Sequence, residues 1–329
     1  MERCRVLYYN INDSLEYERS LLKEWGVDSM ELVQVRCTER HAPFADCADA
    51  ADGAVVEYEQ VTRPVLERLK RLKIISLQSI GYNNIDLEAA TDSGICVTNA
   101  PGFCTPEVAL TCVGLLLDLA RNLSCLDRDV RAGHWQFDAG PKMRRLAGKT
   151  VGLVFFGSIP KAMLPMLKAL ELRILVYAPT KSREYLAEYG VEKAETLEEL
   201  LEASDFVSLH MPLNEKTRHM IGEPQLKRMK KTAFLINTAR GAVVDEPALA
   251  EALKNGTIAG AAVDVIEDEE HHCSGLIGLD NAIVTPHAAF LSEDSFYSAR
   301  KIALRQLVQR LVEHRAPENL VNREMAAKI

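Results

Sequence analysis

Near its middle the chain reads Lys149-Thr-Val-Gly-Leu-Val-Phe-Phe-Gly157-Ser-Ile-Pro160-Lys-Ala. The apolar run before Gly157 predicts a buried strand, and the residues after it predict the start of a helix. A strand that passes into a helix through a glycine turn is typical of a parallel α/β unit. It is also where the dinucleotide-binding motif G-x-G-x-x-G occurs.

Only the middle glycine of that motif is present. Gly157 occupies it and lets backbone amides approach a pyrophosphate at the helix N-terminus. Pro160 takes the third position, which a proline tolerates when it lies in the first helical turn. Phe155 takes the first position, where a glycine normally makes the tight turn. The motif alone therefore does not decide whether a dinucleotide binds.

The next predicted strand, Arg173 to Tyr177, ends in Ala178-Pro179 instead of the acidic residue that binds the adenosine ribose. One interpretation is that nearby polar and basic residues bind a 2′-phosphate, which favours NADP over NAD. The other is that they form a solvated loop and that dinucleotide affinity is weak. The residues concerned are Thr180, Lys181, Ser182 and Arg183.

Short β-branched runs alternate with helical patterns along the whole chain, which predicts an α/β fold of two doubly wound parallel sheets. A breaker cluster at Asn99 to Gly102 and a helix opening at Thr105-Pro106-Glu107, with Thr105 as N-cap, suggest a crossing between domains. We expect residues 1–100 and 291–329 to form one domain and 101–290 the other. In the first domain we expect strands at Arg5–Tyr9, Glu31–Arg36, Gly53–Val56, Ile74–Leu77 and Ile95–Thr98, a helix at Thr62–Leu72, and a final helix at Asp294–Glu313.

Composition narrows the class of protein. The 329 residues are 47% hydrophobic and 26% charged with a net charge of −8, so nucleic acid and anionic membranes are not expected partners. We find no signal-peptide pattern and no apolar run long enough to span a membrane. The eight cysteines are scattered without a C-x-x-C pair, which indicates a reduced, cytoplasmic protein.

Three ionisable residues follow three predicted strands. Arg240 follows Phe234 to Asn237, Glu269 lies five residues past Asp264, and His287 follows Asn281 to Thr285. Because ligands bind beyond the carboxyl ends of parallel strands, we expect these residues to share one site.

Together these side chains suit reduction of a 2-oxo acid. The guanidinium of Arg240 can hold the carboxylate and polarise the adjacent carbonyl. His287 can protonate the alkoxide left by hydride delivery. Glu269 can orient the imidazole and stabilise its charged form, and Glu267 is a rival for that role.

At these residues the sequence resembles the D-isomer-specific 2-hydroxyacid dehydrogenases over nearly its whole length. The segments that match are Ser79-Ile-Gly-Tyr-Asn-Asn-Ile-Asp86, Asn99-Ala-Pro-Gly102, Asp205-Phe-Val-Ser-Leu-His210, Ile236-Asn-Thr-Ala-Arg-Gly241, Gly260-Ala-Ala-Val-Asp264 and Thr285-Pro-His287. The stretch from Thr285 to Glu293 and the ending Glu318 to Asn322 are most similar to the branch that contains the C-terminal-binding proteins.

The resemblance implies a flavodoxin-like substrate domain and a Rossmann nucleotide-binding domain, with the active site in the cleft. It assigns catalysis to Arg240, Glu269 and His287, and so favours Glu269 over Glu267. It implies that backbone amides at Ile80 and Gly81 bind the substrate carboxylate. For NAD or NADP it implies Ser158 and Ile159 at the pyrophosphate, His210 and Pro212 along the dinucleotide, and Thr238, Ala239 and Asp264 near the nicotinamide.

The resemblance also implies a homodimer joined through the nucleotide-binding domain, with the helix from Thr105 and the arm around Trp135 at the interface. Phe290 and Leu291 are expected to border a substrate with an aliphatic or aromatic side chain. The run Asp268 to Cys273 lacks the ligand spacing of a metal site, so no metal is expected. Two functions stay open: an active 2-oxo-acid reductase, and a dinucleotide sensor or partner-binding protein whose cofactor site has decayed.

Overall fold

The computed structural model describes residues 3–9, 13–35, 50–57 and 59–329. It divides into two compact units, one formed by Met1–Cys104 with Ser292–Ile329 and the other by Thr105–Leu291. Arg36, Cys37 and Cys47 lie outside the described residues, so the predictions that concern them are not addressed. The assignment of substrate binding to the first unit stays a prediction.

The first unit is a five-stranded parallel sheet with the strand order β2-β1-β3-β4-β5. This is the order of flavodoxin-like folds. The strands β3 and β4 are buried at every position, as expected for a sheet covered on both faces. The elements are β1 Cys4–Tyr9, α1 Glu16–Glu24, β2 Met30–Val35, β3 Gly53–Val56, α2 Arg63–Arg68, β4 Ile74–Leu77, α3 Leu87–Asp92 and β5 Cys96–Thr98.

The second unit is a seven-stranded parallel sheet with the order β12-β11-β10-β9-β6-β7-β8. The strand order reverses at β6, which pairs with both β7 and β9, so a ligand crevice is expected beyond its carboxyl end. Its strands are β6 Thr150–Val154, β7 Arg173–Tyr177, β8 Glu192–Lys193, β9 Phe206–Leu209, β10 Phe234–Asn237, β11 Gly260–Val263 and β12 Ala282–Val284. Its helices are α4 Thr105–Arg121, α5 Leu123–Arg131, α6 Ser158–Ala169, α7 Arg183–Glu188, α8 Leu197–Ala203, α9 Glu223–Arg228 and α10 Glu246–Lys254. The predicted α/β class with two wound parallel sheets is confirmed.

The chain returns to the first unit through α11, Glu293–Leu311, and ends in a 3₁₀ helix at Arg323–Lys328. Ser292 caps α11, because its hydroxyl accepts a hydrogen bond from the amide of Ser295 at 2.9 Å. The helix packs against β3 and β4, and Leu304 and Leu307 are fully buried there.

Several predicted boundaries were wrong by a few residues. The helix expected at Thr62–Leu72 ends at Arg68, because Leu69 leaves the helical conformation and Leu72 bonds back to it in a turn. Ile95 is not in β5, which begins at Cys96; its amide donates to the carbonyl of Ala90 in α3 at 2.8 Å. Residue Thr105 is the first helical residue of α4 and not its N-cap.

Within the described residues no single helix is long and apolar enough to cross a membrane. One helix pair, Thr105–Arg121 with Leu123–Arg131, passes the same test of length and composition when taken together, with a 61° bend between its members.

Candidate active site

The turn after β10 presents Arg240. Asn237, the last residue of the strand, is buried, and its side chain donates to the carbonyl of Arg240 at 3.0 Å and accepts from the amide of Ala239 at 3.0 Å. The guanidinium donates to the carbonyl of Ala239 at 2.7 Å. No other hydrogen bond of this guanidinium is formed within the described residues, so its remaining N–H donors are free to bind an anion.

Gly241 brings this turn against the loop that follows β11. A Cβ atom at Gly241 would lie 2.0 Å from the carbonyl oxygen of Ile266 and 2.6 Å from the amide of Glu267. Only glycine permits so close an approach of two backbones. The loop that carries Glu269 is therefore packed directly beside the turn that carries Arg240.

Asp264 fixes the turn that carries His287. This buried carboxylate accepts hydrogen bonds from the hydroxyl of Thr285 at 2.6 Å and from the amides of Ala288 at 2.9 Å and Ala289 at 2.8 Å. The amide of His287 donates to the carbonyl of Asp264 at 2.7 Å. His287 adopts a φ of 52°, a conformation that costs free energy in a non-glycine residue and that these hydrogen bonds maintain.

Glu269 and His287 form a hydrogen-bonded pair. The Nδ1 atom of His287 lies 2.9 Å from Oε2 of Glu269, and both side chains are partly exposed. Within the described residues the Nε2 atom of His287 has no partner. A carboxylate on Nδ1 fixes the orientation of the ring and leaves Nε2 to act on a ligand.

Glu267, the rival carboxylate, is engaged elsewhere. Its Oε1 atom lies 2.9 Å from Nε2 of His219 and accepts from the amide of Glu246 at 3.2 Å. Its own amide donates to the carboxylate of Glu246 at 3.1 Å. The imidazole of His287 therefore has Glu269, and not Glu267, as its partner.

Phe290 lies beside His287 on the same turn. The two ring centres are 6.3 Å apart, with the rings nearly perpendicular at 82°. The neighbouring Leu291 is 63% exposed. An apolar surface therefore borders the histidine on its own turn.

At the first position of the glycine motif, Phe155 adopts a backbone conformation that favours glycine. Phe155 has a φ of 71°, the left-handed conformation that glycine adopts easily, and its amide donates to the carbonyl of Tyr177 at 2.7 Å. Gly157 has an ordinary φ of −96°, and a Cβ atom there would meet no protein atom within 4 Å. Neither the backbone conformation nor packing against the protein therefore requires a glycine at position 157. The open space beside it is consistent with a ligand-binding position.

The N-terminus of α6 offers free amides beside Gly157. The N–H groups of Ser158 and Ile159 form no hydrogen bond with any described residue. Pro160 lies in the first turn of the helix, as expected, where its missing donor costs nothing. Free amides at a helix N-terminus next to an open glycine are suited to a pyrophosphate.

The residues of the loop after β7 have different surroundings, and their predicted role in cofactor binding stays a prediction. Ala178 is buried, and Thr180 is exposed. The guanidinium of Arg183 is paired with the carboxylate of Glu195 at 2.5 Å. Lys181, in contrast, forms no ion pair with any described carboxylate. Of the two predicted basic groups only Lys181 is without a counter-charge.

His210 lies at the end of β9, where its amide donates to Val154 at 3.0 Å. Burial of the imidazole lowers the pKa of His210 to about 3, so the ring is neutral near pH 7. Its Nε2 atom is buried without a partner in the described part of the chain, and a ligand could satisfy it. The carbonyl of Pro212 accepts from the hydroxyl of Thr217 at 2.6 Å, so it is already engaged.

Thr238, which follows β10, contacts α4. Its hydroxyl lies 3.0 Å from the thiol of Cys112, and burial raises the pKa of that thiol to about 11. The thiol therefore stays protonated at neutral pH. The amide of Ala239 is held by Asn237, so both predicted residues sit on a rigid turn.

A second set of free amides lies in the first unit, on the loop after β4. The carbonyl of Gly81 accepts from the hydroxyl of Ser79 at 2.7 Å, and the carbonyl of Ile80 accepts from the side chain of Asn99 at 2.8 Å. The amides of Ile80 and Gly81 donate to no described residue. Hydrogen bonds to its carbonyl groups therefore hold the loop in place, while these two amides have no acceptor among the described residues.

Sequence reasoning missed Asn237 and His219, and it named Asp264 only as a residue near the nicotinamide. Asn237 and Asp264 orient the turns that carry Arg240 and His287, and the imidazole of His219 contacts the carboxylate of Glu267. A polar residue at the last buried position of a strand was the available signal for Asn237. In the described part of the chain no cluster of three or more His, Cys, Asp or Glu side chains suits a metal ion.

Comparison with known proteins identifies the family. Residues 113–289 match the sequence model described as D-isomer specific 2-hydroxyacid dehydrogenase, NAD binding domain. A glyoxylate reductase from Thermococcus litoralis is 41% identical over 273 residues, which cover 81% of this chain and 82% of that protein. The chain belongs to the D-isomer-specific 2-hydroxyacid dehydrogenase family.

Solved structures of dehydrogenases and reductases share the fold. A glyoxylate reductase from Paecilomyes thermophila has a TM-score of 0.84 and 25% identity, over 98% of this chain and 99% of that one. An acyclic imino acid reductase solved with NADPH and D-Arg has a TM-score of 0.80 and 26% identity, over 96% and 99%.

As a member of this dehydrogenase family, the protein is an oxidoreductase that transfers a hydride between a nicotinamide dinucleotide and a 2-oxo or 2-hydroxy acid. The similarity to the branch of the C-terminal-binding proteins stays a prediction.

Proposed function

We propose that Arg240, Glu269 and His287 carry out the reduction of a 2-oxo acid to a D-2-hydroxy acid. The observation that supports this most is the Glu269–His287 pair, held at 2.9 Å beside the turn of Arg240. A carboxylate, an imidazole and a guanidinium supply orientation, a proton and an anion clamp.

Each group has a distinct task in the reaction. Arg240 binds the substrate carboxylate through its free N–H donors and polarises the neighbouring carbonyl. A reduced nicotinamide, when bound, supplies the hydride. The Nε2 atom of His287 donates a proton to the developing alkoxide, and Glu269 stabilises the imidazolium before that transfer.

For the cofactor, we propose that Gly157, Ser158 and Ile159 bind the pyrophosphate. Open space at the glycine and two free amides support this. His210 and Pro212 are proposed to lie along the dinucleotide, with Thr238, Ala239 and Asp264 near the nicotinamide. Since Ala178 provides no carboxylate for a ribose, we favour NADP over NAD.

For the substrate, we propose that the amides of Ile80 and Gly81 bind a carboxylate and that Phe290 limits the side chain. Their free donors and the ring beside His287 support this. Two relatives are named glyoxylate reductases, so glyoxylate belongs in the first panel of 2-oxo acids, together with larger aliphatic and aromatic ones.

The test is oxidation of NADPH and of NADH by purified protein, followed by absorbance, with that panel. We expect turnover with at least one 2-oxo acid. Absence of turnover with both dinucleotides across the panel would instead favour the second candidate, a dinucleotide sensor or partner-binding protein whose cofactor site has decayed. The observation that favours this second candidate is Phe155, a strained residue in place of a turn glycine.

We also propose a homodimer joined through the second unit. The segment from α4 to the arm beyond α5 exposes large apolar side chains: Leu110, Leu123, Val130, Trp135, Phe137 and Met143. Exposed apolar surface of this kind is typical of protein–protein interfaces. Light scattering of the purified protein gives the molecular mass that checks the proposed dimer. A reducing, cytoplasmic location stays a prediction; none of the six described cysteines is in a disulfide.

A further inference from the structure

Two lysines meet one tyrosine beside the glycine turn. The ammonium group of Lys161, in the first turn after Gly157, donates to the hydroxyl of Tyr185 at 2.7 Å and lies 5.4 Å from the centre of its ring. The ammonium group of Lys181 lies 5.0 Å from the same ring centre. Phe156 and Tyr189 complete the group, each ring within 5.9 Å of Lys161. These five residues are called the Tyr185 cluster below.

The cluster carries two positive charges and no carboxylate. Within the described residues neither Lys161 nor Lys181 forms an ion pair. The hydrogen bond between Tyr185 and Lys161 raises the pKa of the lysine and lowers the pKa of the tyrosine. The ammonium group of Lys161 is therefore charged at neutral pH. The two lysines together can bind an anion, and no described carboxylate takes that place.

Two other basic groups of this region, at the start of α7 and on β8, are neutralised. Arg183 and Lys193 both pair with Glu195, at 2.5 and 3.0 Å. A phosphate drawn to Arg183 would meet the negative charge of Glu195 as well. The two lysines of the Tyr185 cluster have aromatic rings and the phenol of Tyr185 as neighbours, so a phosphate bound there would not meet a carboxylate of the cluster.

The position of the cluster matches one part of a dinucleotide. In a Rossmann unit the pyrophosphate binds at the glycine turn and the adenosine ribose lies beyond the end of the second strand, here β7. Lys161 follows the glycine turn in α6, and Lys181 follows β7. A carboxylate at position 178 would accept hydrogen bonds from the ribose hydroxyls, and the buried methyl group of Ala178 cannot.

We infer that Lys161 and Lys181, with the hydroxyl of Tyr185, bind the 2′-phosphate of NADP(H). The inference rests on the proposed function and adds Lys161 and Tyr185 to the residues that select the cofactor, in place of Arg183. A phosphate with oxygens between two ammonium groups gains charge-assisted hydrogen bonds to both. A 2′-hydroxyl gains neither.

The test compares dissociation constants of NADPH and NADH, measured by fluorescence titration, in the wild type and in Lys161→Met and Lys181→Met. The wild type is expected to bind NADPH more tightly. Each substitution is expected to weaken NADPH by at least about tenfold and NADH by less than about twofold, because only the phosphate contact is lost. ADP-ribose and 2′-phospho-ADP-ribose, which lack the nicotinamide, give the same comparison independently of catalysis.

Lys168→Met is the matched control, since Lys168 is a lysine of the same helix that bonds to the carbonyl of Tyr189. It should leave both affinities unchanged, and thermal melting should show all variants folded. Arg183→Met should leave the ratio of the two affinities unchanged.

Three results would overturn the inference. These are tighter binding of NADH by the wild type, equal weakening of NADH and NADPH in Lys161→Met, and loss of the NADPH preference only in Arg183→Met. Turnover with NADH alone would leave the proposed reduction intact, whereas absence of binding of both dinucleotides would reject the proposed function itself.

Discussion

Gly157 is the residue on which cofactor binding can be tested most cleanly. Its backbone conformation is ordinary and a Cβ atom would meet only open space. The Gly157→Ala variant should therefore keep its melting temperature, while the added methyl group blocks a pyrophosphate and raises the dissociation constant of the dinucleotide by about tenfold or more.

Gly152→Ala is the matched control for that substitution. A Cβ atom at Gly152 would lie 2.3 Å from the hydroxyl oxygen of Ser204 and 2.6 Å from Leu200, both in the protein interior. This variant should lose stability by about 1–3 kcal/mol. A Gly157→Ala protein that melts early but binds normally would contradict the account of Gly157.

His210 predicts a pH dependence of stability. Burial lowers its pKa to about 3 in the folded protein, whereas an unfolded chain has a histidine pKa near 6.5. Below pH 6.5 the unfolded state therefore binds a proton that the folded state does not. The free energy of unfolding falls as the pH falls, by roughly 1–2 kcal/mol between pH 6.5 and 5 for this residue.

The measurement is the urea midpoint of the wild type and of His210→Gln between pH 5 and 7. The substitution should flatten the dependence on pH, because glutamine does not titrate. Equal slopes in the two proteins would show that the imidazole of His210 is not buried and neutral in the folded protein.

At the scale of elements, the turns after β10 and β11 act as one assembly because Gly241 lets them touch. In Gly241→Ala the new Cβ would overlap the carbonyl of Ile266, 2.0 Å away, and push the two turns apart. We expect a loss of about 1–3 kcal/mol in stability and a lower kcat in the protein that remains folded.

The affinity for ADP-ribose, which lacks the nicotinamide, separates this effect from general damage, since its pyrophosphate is proposed to bind at the glycine turn after β6. Titration of the Gly241→Ala variant with ADP-ribose should give a dissociation constant close to that of the wild type. An unchanged kcat in that variant would show that the contact between the two turns has no part in catalysis.

Most strands of the wound sheets could be predicted from sequence, since β-branched apolar runs bounded by turns define them locally. The strands at Gly53–Val56 and Ile74–Leu77 were predicted to the residue. Helix ends were less predictable, because Leu69 and Leu72 keep a helical apolar spacing while a turn, and not a helix, buries them.

The predicted site depended on the same local information. Arg240, Glu269 and His287 could be named because they follow strands, but the choice of Glu269 over Glu267 needed the resemblance to a family. What separates the two carboxylates is His219, some fifty residues earlier in the chain, and no local pattern reveals that contact. For the same reason, the sequence did not show that Arg183 pairs with a carboxylate whereas Lys161 contacts a tyrosine.

At the scale of the whole molecule, the first unit is closed by contacts between the two ends of the chain. Arg300 of α11 is fully buried and bonds to both carboxylate oxygens of Glu18 in α1 at 2.6 Å and to Asp13 at 2.9 Å. The rings of Tyr17, Phe296 and Tyr297 surround its guanidinium. Residues nearly three hundred positions apart are thus joined, which no sequence pattern predicted.

Removing one member of this pair leaves a buried charge without a partner. Arg300→Met should destabilise the protein by about 3–5 kcal/mol, measured by urea unfolding, and Glu18→Gln in the same protein should restore part of the loss. Arg315→Met, which breaks an exposed pair with Glu313, should cost less than about 1 kcal/mol. Similar losses at Arg300 and Arg315 would contradict this account.

The central claim is that Glu269 supports reduction of the 2-oxo acid by orienting the imidazole of His287, which donates the proton. The most direct measurement is kcat at saturating dinucleotide and substrate for Glu269→Gln and Glu267→Gln, two substitutions of the same type two residues apart. We predict a loss of about 10–100-fold for Glu269→Gln and of less than about fivefold for Glu267→Gln. Equal losses, or a greater loss for Glu267→Gln, would contradict the claim.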